Sequence, residues 1–374
     1  MSIPARAANP RSVLIVHPVS GVDAGAETYL RLVAGGLAAR GVHVSVALVG
    51  RRTEIDVGIA RDLAQRSVQT FFVPGIRGLP VLRARVAKLR PELLHWNLPE
   101  PFSFRGGAWF VSPWGRPSVV TDHLPMLRNR RFWELARRLA NRRLNGVVVV
   151  GESSKSDARE HWGPTLPIYL VHNAVEPVPF VERRLVEGEP LRLLFLGRLD
   201  EQKEPLFVVS VADALRRRGV DFRLSIAGNG PLRDAVRERV TELALVDFVE
   251  TPGFVSPPWD EYARAHMLLT PSRFEGAPLV PLEALSSGLP VLASDIGPHS
   301  DLAAVTSAIR VLPTGDPELW AEEILGMAAD LPSLSRAARK ILEFRSVDSM
   351  IDAVLDVYRS VLNASAEVSE SQPA

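Results

Sequence analysis

The run Ser12 to His17 (SVLIVH) is short, apolar and β-branched, and it is followed by a Gly-containing loop and the amphipathic stretch Glu27 to Arg40, which ends at Gly41. A second apolar run, Val42 to Val49, comes next. A strand, a helix stopped by glycine and another strand form a β-α-β unit, whose crossover is right-handed and whose strands lie parallel. Few folds accept that unit. The apolar runs Leu93 to Trp96, Ser118 to Thr121 and Gly146 to Val150 suit strands buried on both faces, as in a parallel sheet covered by helices. Residues Val175 to Pro190 carry Pro177, Pro179 and mixed charges without helical periodicity, which is linker composition.

The pattern then restarts. Leu191 to Leu196, Arg223 to Ala227, Phe248 to Val249, Met267 to Thr270, Pro290 to Ala293 and Ala308 to Leu312 read as strands separated by helices, hence a second doubly wound sheet. The predicted domains are residues 11–174 and 191–346, joined by a linker at 175–190. An amphipathic helix follows at 347–362, with Met350, Ile351, Val354, Leu355 and Val361 on one face, and is read as crossing back to the first domain. Residues 363–374 are small and polar and read as a disordered tail.

A chain of 374 residues with 46% hydrophobic content supports two cores. No stretch reaches the roughly 20 apolar residues of a membrane-spanning helix, and the N-terminus lacks the apolar core of a secretory signal. The expected location is therefore cytoplasmic. The absence of cysteine removes disulfides, thiol nucleophiles and thiolate metal sites. Charge is divided unevenly: residues 1–185 carry a net +12 and residues 186–374 a net −11. The basic half suits an anionic partner, such as a lipid headgroup surface or acidic acceptor, and equally suits attraction between the two halves.

Open α/β sheets bind ligands beyond the carboxyl ends of their strands. The richest such loop runs from Pro271 to Asp295 (PSRFEGAPLVPLEALSSGLPVLASD), with Pro281 suited to a first helical turn. Amides around Gly276, Ala277, Leu279 and Val280 precede that helix, an arrangement that holds phosphate. Glu275 and Glu283 lie eight positions apart, so they reach opposite ends of one ligand, and carboxylates accept hydrogen bonds from vicinal sugar hydroxyls. Taken alone, the pair reads better as a helix-dipole partner and a solvated loop residue. Arg198 and Lys203 in GRLDEQKEP change that balance by placing two cations after the second domain's first strand. A diphosphate needs about that much positive charge when no metal is present. There is no Asp-x-Asp pair and no ligand-spaced histidine, so no metal or other cofactor is expected. Gly228 to Pro231 and Gly253-Phe254-Val255 also follow strands, and each taken alone reads as a tight turn.

The combination GRLDEQK, AGNGP, PGFV and SRFEGAPLVPLEAL with SGLPVLASD resembles the family 4 retaining glycosyltransferases, whose fold is two Rossmann-like domains facing across a cleft (GT-B). In the first half, AGAETYLRLVAGGLAARGVHV, RPELLHW, VVTDH and VVVVGESSKSD with VHNAVE resemble that family as well. The likeness spans residues 12 to 362. It implies that Arg198 and Lys203 bind the donor diphosphate and stabilise the leaving nucleoside diphosphate. Glu275, with Gly276, Ala277, Pro278, Leu279 and Val280, would hold the sugar, and Glu283 the ribose. Gly253, Phe254 and Val255 would meet the base through the backbone, Gly25 would approach the phosphate, and His123 would face the sugar. Ala24, Ala174 and Pro278 stand where the family commonly has glycine, and Gly297-Pro298-His299 where it often has a glycine pair. A lone histidine such as His123 is more often structural, and only the resemblance reverses that reading.

Met126 to Leu144 (MLRNRRFWELARRLANRRL) has seven arginines with Phe132 and Trp133 between them. Such a segment suits peripheral binding to an anionic membrane, while packing on the sheet is the plainer expectation. The reading as a whole is a metal-independent glycosyltransferase acting on a nucleotide-sugar donor and a hydroxyl acceptor, glycan or lipid-linked, in cell-envelope assembly, with no nucleic-acid partner. A sugar-nucleotide epimerase of the same architecture and a non-catalytic nucleotide-sugar-binding protein are the alternatives. The epimerase needs more acid and base groups than His123 and Glu275 supply, and a non-catalytic protein would tolerate loss of donor-contact residues, yet Arg198, Lys203, Glu275 and Glu283 are all present. No G-x-G-x-x-G follows either domain's first strand, which disfavours a dehydrogenase.

Overall fold

The computed structural model describes residues 8–19, 25–50, 57–98, 114–123 and 141–370. The chain divides into two compact units, residues 1–173 with 347–374, and residues 174–346. Each has a parallel sheet. In the first unit the strands are β1 (Ser12–Pro18), β2 (His43–Gly50), β3 (Gln69–Pro74), β4 (Leu93–Leu98), β5 (Ser118–Asp122), β6 (Gly146–Val149) and β7 (Ile168–Leu170), in the order β3-β2-β1-β4-β5-β6-β7. In the second they are β8 (Leu191–Leu196), β9 (Phe222–Ala227), β10 (Val249–Gly253), β11 (Met267–Thr270), β12 (Val291–Ser294) and β13 (Ile309–Leu312), in the order β10-β9-β8-β11-β12-β13. Strand order reverses beside β1 and β4 in one sheet and beside β8 and β11 in the other. At those points neighbouring crossovers leave in opposite directions and open a crevice at the strands' carboxyl ends.

The central strands are apolar throughout because both faces are covered: β4 is buried along its whole length, as are β11 and β12. The sequence reading omits β3 and β7. Both are edge strands of mixed exposure, and β7 has only three residues, so neither makes a continuous apolar run. In the second unit the sheet divides two apolar cores, one around Leu193, Phe222 and Trp320 and the other around Leu194, Tyr262 and Leu285.

The segment 175–190 is strapped to the second unit. The Val178 amide donates to Ser286 Oγ at 3.2 Å, and the Val181 amide to the Ser287 carbonyl at 3.0 Å. The buried Arg183 donates to the Ala263 carbonyl at 2.8 Å, and burial lowers its pKa to about 10.

The last helix, Val347–Glu370, packs in the first unit against the helix Gly25–Ala39. It continues beyond Leu362, where the sequence reading places a tail. Ser365 donates to the Val361 carbonyl at 2.8 Å and accepts from the Asn145 side chain at 3.3 Å, so polar residues continue the helix by anchoring it locally. The seat depends on glycine. A Cβ on Gly36 would lie 2.5 Å from Ile351 Cγ1, closer than packed atoms approach. Gly36→Ala is therefore expected to destabilise the protein by roughly 1–3 kcal/mol despite its better helix propensity. In an Ile351→Ala background the same change is expected to stabilise it, which paired thermal melts would test.

Candidate functional site

In the second unit, β8 ends in a loop whose form is set by backbone contact. A Cβ on Gly228, whose φ is +151°, would lie 1.8 Å from the Gly197 carbonyl oxygen, so only glycine lets these loops meet. The Leu199 amide donates to Asn229 O at 2.9 Å, the Leu232 amide to Leu199 O at 2.8 Å, and the Gly228 amide to Gly253 O at 2.8 Å. Gly228 to Pro231 and Gly253 are thus joined to the loop that carries Arg198 and Lys203. Phe254, beyond Gly253, is 73% exposed.

The loop after β11 is tied to the same place. The Arg273 amide donates to Gln202 O at 2.8 Å, and Gln202 Nε2 donates to Phe274 O at 3.0 Å. Between them Lys203 Nζ forms an ion pair with Glu275 Oε1, and both side chains are largely covered, at 23% and 7% exposure. Arg198 pairs with Asp200, whose other oxygen accepts the Lys203 amide at 3.1 Å. Arg198 itself is 62% exposed. The structure therefore brings Arg198, Lys203 and Glu275 together at the switch point of the second sheet, each cation held by a carboxylate. A diphosphate entering here meets cations already oriented, and it must share or replace their partners.

Glu283 lies in the helix Leu279–Ser286, which Pro278 precedes in extended conformation without a side-chain cap. Glu275, Gly276 and Ala277 lie just before Pro278, and Leu279 and Val280 supply the helix's first amides. Glu283 Oε2 accepts from the buried Tyr262 hydroxyl at 2.8 Å. Burial raises the pKa of Glu283, and the Tyr262 hydrogen bond opposes that rise. The sequence reading misses Tyr262 because it sits in a six-residue helix, Trp259–Arg264, with no motif around it. It also misses Asp200, which is visible within GRLDEQK. His299, which stands among the departures from the family pattern, is fully buried. Its Nδ1 lies 2.9 Å from Ser294 O, burial lowers its pKa, and it feels the charges of Glu275 and Lys203.

In the first unit, Gly25 is the exposed first residue of the helix Gly25–Ala39. His123 follows β5 and is buried in a polar cluster at the carboxyl ends of β1, β4 and β5. Its Nε2 lies 2.6 Å from Asn97 Oδ1, and the Tyr29 ring meets its ring edge-on at 4.7 Å. Asn97 Nδ2 reaches Ala26 O at 3.1 Å and His17 Nδ1 at 3.0 Å, and His17 Nε2 lies 3.4 Å from Glu27 Oε1. Beside this chain, His95 bonds Tyr358 Oη and Thr121 Oγ1, each at 2.6 Å. Burial pushes both His95 and His123 down to about 3, so both rings are neutral at ordinary pH. Polar residues ending the apolar runs SVLIVH and LLHWNL were the available signal for His17 and Asn97. The arginine-rich segment 126–144 lies outside the described residues except for 141–144.

Two family models match in tandem: "Glycosyltransferase Family 4" over residues 24–178 and "Glycosyl transferases group 1" over residues 190–330. The amylovoran biosynthesis glycosyltransferase AmsK of Erwinia amylovora is 28% identical over 194 residues, 48% of this chain and 47% of AmsK. The lipopolysaccharide core biosynthesis mannosyltransferase LpsB of Rhizobium meliloti is 30% identical over 178 residues, 44% of this chain and 50% of LpsB. The matched stretches thus span about half of these curated relatives. Among solved structures, a glycosyltransferase from Rickettsia africae superimposes with a TM-score of 0.76 at 16% identity, covering 95% of this chain and 99% of that one. Anabaena HepE in complex with UDP gives 0.74 at 18% identity, covering 93% and 100%. These likenesses show the fold, two parallel-sheet α/β domains as in GT-B glycosyltransferases.

Tyr262→Phe removes the bond that favours ionised Glu283, so the Glu283 pKa is expected to rise further. A carboxyl whose folded pKa is raised binds more protons when folded, so its contribution to stability declines as pH rises from the unfolded pKa through the folded one. The variant's melting temperature is therefore expected to fall more steeply than the wild type's on going from pH 4.5 upward. Parallel pH curves for the two proteins would count against this account of Glu283.

Proposed function

The two domains belong to glycosyltransferase family 4 and to the glycosyl transferases group 1, and from that premise we propose that the chain is a metal-independent retaining glycosyltransferase. Its donor is a nucleoside diphosphate sugar, bound at the β8 and β11 loops of the second domain. The observation that carries this reading is the Lys203–Glu275 ion pair beside Arg198. It offers cations for a diphosphate and a carboxylate for sugar hydroxyls within one set of interlocked loops.

In transfer, the bond between the anomeric carbon and the diphosphate oxygen breaks, and the acceptor oxygen bonds to that carbon on the same face. The acceptor's proton passes to the departing phosphate oxygen. Negative charge builds on the leaving diphosphate, so fixed cations there lower the barrier. Arg198 and Lys203 fill that role, Glu275 and the amides of Gly276, Ala277, Leu279 and Val280 hold the sugar, and Glu283, aimed by Tyr262, takes the ribose. Gly253, Phe254 and Val255 meet the base, and within the first domain Gly25 and His123 are the residues we propose for ligand contact. The names of AmsK and LpsB favour an envelope polysaccharide or glycolipid as the hydroxyl acceptor. Among the described residues no helix is long and apolar enough to cross a membrane, and the net charge of +12 in residues 1–185 suits contact with an anionic, lipid-linked acceptor.

Lys203→Ala alone would strand a covered carboxylate and confuse catalysis with stability. Arg198→Ala is the cleaner test, because an exposed ion pair is worth only about 0–1 kcal/mol. It is expected to melt close to wild type while transfer falls by about 100-fold or more. Wild-type turnover by this variant would overturn the leaving-group assignment.

A further inference from the structure

The amide of Asn97 is the branch point of the polar cluster at the switch point of the first sheet. Its orientation is fixed by a group that only accepts: the Ala26 carbonyl, 3.1 Å from Nδ2. Turning the amide over would set Asn97 Oδ1 against that carbonyl and leave two acceptors facing each other without a proton. With Nδ2 toward Ala26, Oδ1 faces His123 Nε2 at 2.6 Å and accepts its proton. The second Nδ2 proton lies toward His17 Nδ1 at 3.0 Å, a nitrogen that also has the Asn97 carbonyl oxygen at 3.2 Å, and His17 Nε2 lies 3.4 Å from Glu27 Oε1. The Ala26 carbonyl, acting through the Asn97 amide, thus places a proton on His123 Nε2.

We propose that Asn97 is a positioning residue that locks His123 as its Nε2–H tautomer, leaving Nδ1 as an acceptor for a hydroxyl of a bound sugar. The sugar in this statement rests on the proposed function; the tautomer does not. A histidine held this way is suited to receive a hydroxyl proton in a hydrogen bond, and protonation would abolish that capacity. The surroundings resist protonation. Burial chiefly opposes a charge on His123, and the ionisable rings of His17 on β1 and His95 on β4 act in the same direction. Tyr29 presents a ring edge, and burial pushes its hydroxyl up to about 12, so it stays uncharged. Thr121 on β5 is neutral, and the Asp122 carboxylate accepts from Trp162 Nε1 at 3.1 Å. Glu27 faces the cluster through His17.

The test uses the 374-residue chain with ¹⁵N-labelled histidine and Asn97→Asp and Asn97→Leu as variants. Long-range proton–nitrogen correlation separates protonated from bare ring nitrogens, and His123→Gln identifies the His123 signals among the eight histidines. In the wild type, His123 is expected to show a protonated Nε2 and a bare Nδ1 throughout pH 5–8. Asn97→Asp sets a carboxylate against Nε2, so the ring is expected to take a second proton and titrate within that range. Transfer by this variant is then expected to drop about tenfold for each pH unit below the new midpoint, and to recover above it, while wild-type transfer stays flat. Asn97→Leu is expected to show averaged tautomers. A proton on Nδ1 in the wild type would overturn the proposal. So would an Asn97→Asp variant that is folded by its melt yet impaired by the same factor at every pH. Absence of transfer from any nucleotide sugar would count against the proposed function alone, because the tautomer is read without substrate.

Discussion

The ion pair between Lys203 and Glu275 joins two loops that lie far apart in sequence and meet only because β8 and β11 are neighbours in the sheet. A covered charge pair is stable only when each member keeps its partner, so Lys203 and Glu275 hold one another's geometry. Gly228 permits the close approach to Gly197, and Asp200 anchors both Arg198 and the Lys203 amide. The result is a rigid arrangement in which cations are aimed before any anion arrives. Preorganised charge of that kind needs little rearrangement at the moment of reaction.

The two domains share a design. In each, chemistry-bearing side chains gather where strand order reverses, because the crevice there is the place on a parallel sheet where loops diverge. The second domain uses charge, and the first uses neutral imidazoles in a hydrogen-bonded chain. Burial lowers His95 and His123 to about 3, which suits groups that fix geometry through lone pairs. His95 also bonds Tyr358 of the last helix, so the switch-point cluster and that helix share one buried contact.

Much of this was legible in the sequence because its signals are local. The central strands are uninterrupted apolar runs, and GRLDEQK and the Glu275 to Glu283 spacing sit in single stretches. What escaped was made by tertiary contact. Tyr262 reaches Glu283 from a neighbouring helix, and no residue near it announces that role. Asn97 reads as the polar end of a strand until Ala26 and His123 are placed on either side. The edge strands β3 and β7 lack a second buried face and therefore lack the pattern that identifies strands. The helix beyond Leu362 is polar and is held by Asn145, a residue more than two hundred positions away in sequence.

The central claim is that the Lys203–Glu275 pair is the grip on an activated sugar. Titration calorimetry with a panel of nucleoside diphosphate sugars, comparing wild type with the charge-free double variant Lys203→Met/Glu275→Gln, tests it most directly. The account predicts uptake of a donor by the wild type and its loss in a double variant that still melts cooperatively. Equal uptake by both proteins, or none by the folded wild type, would contradict it.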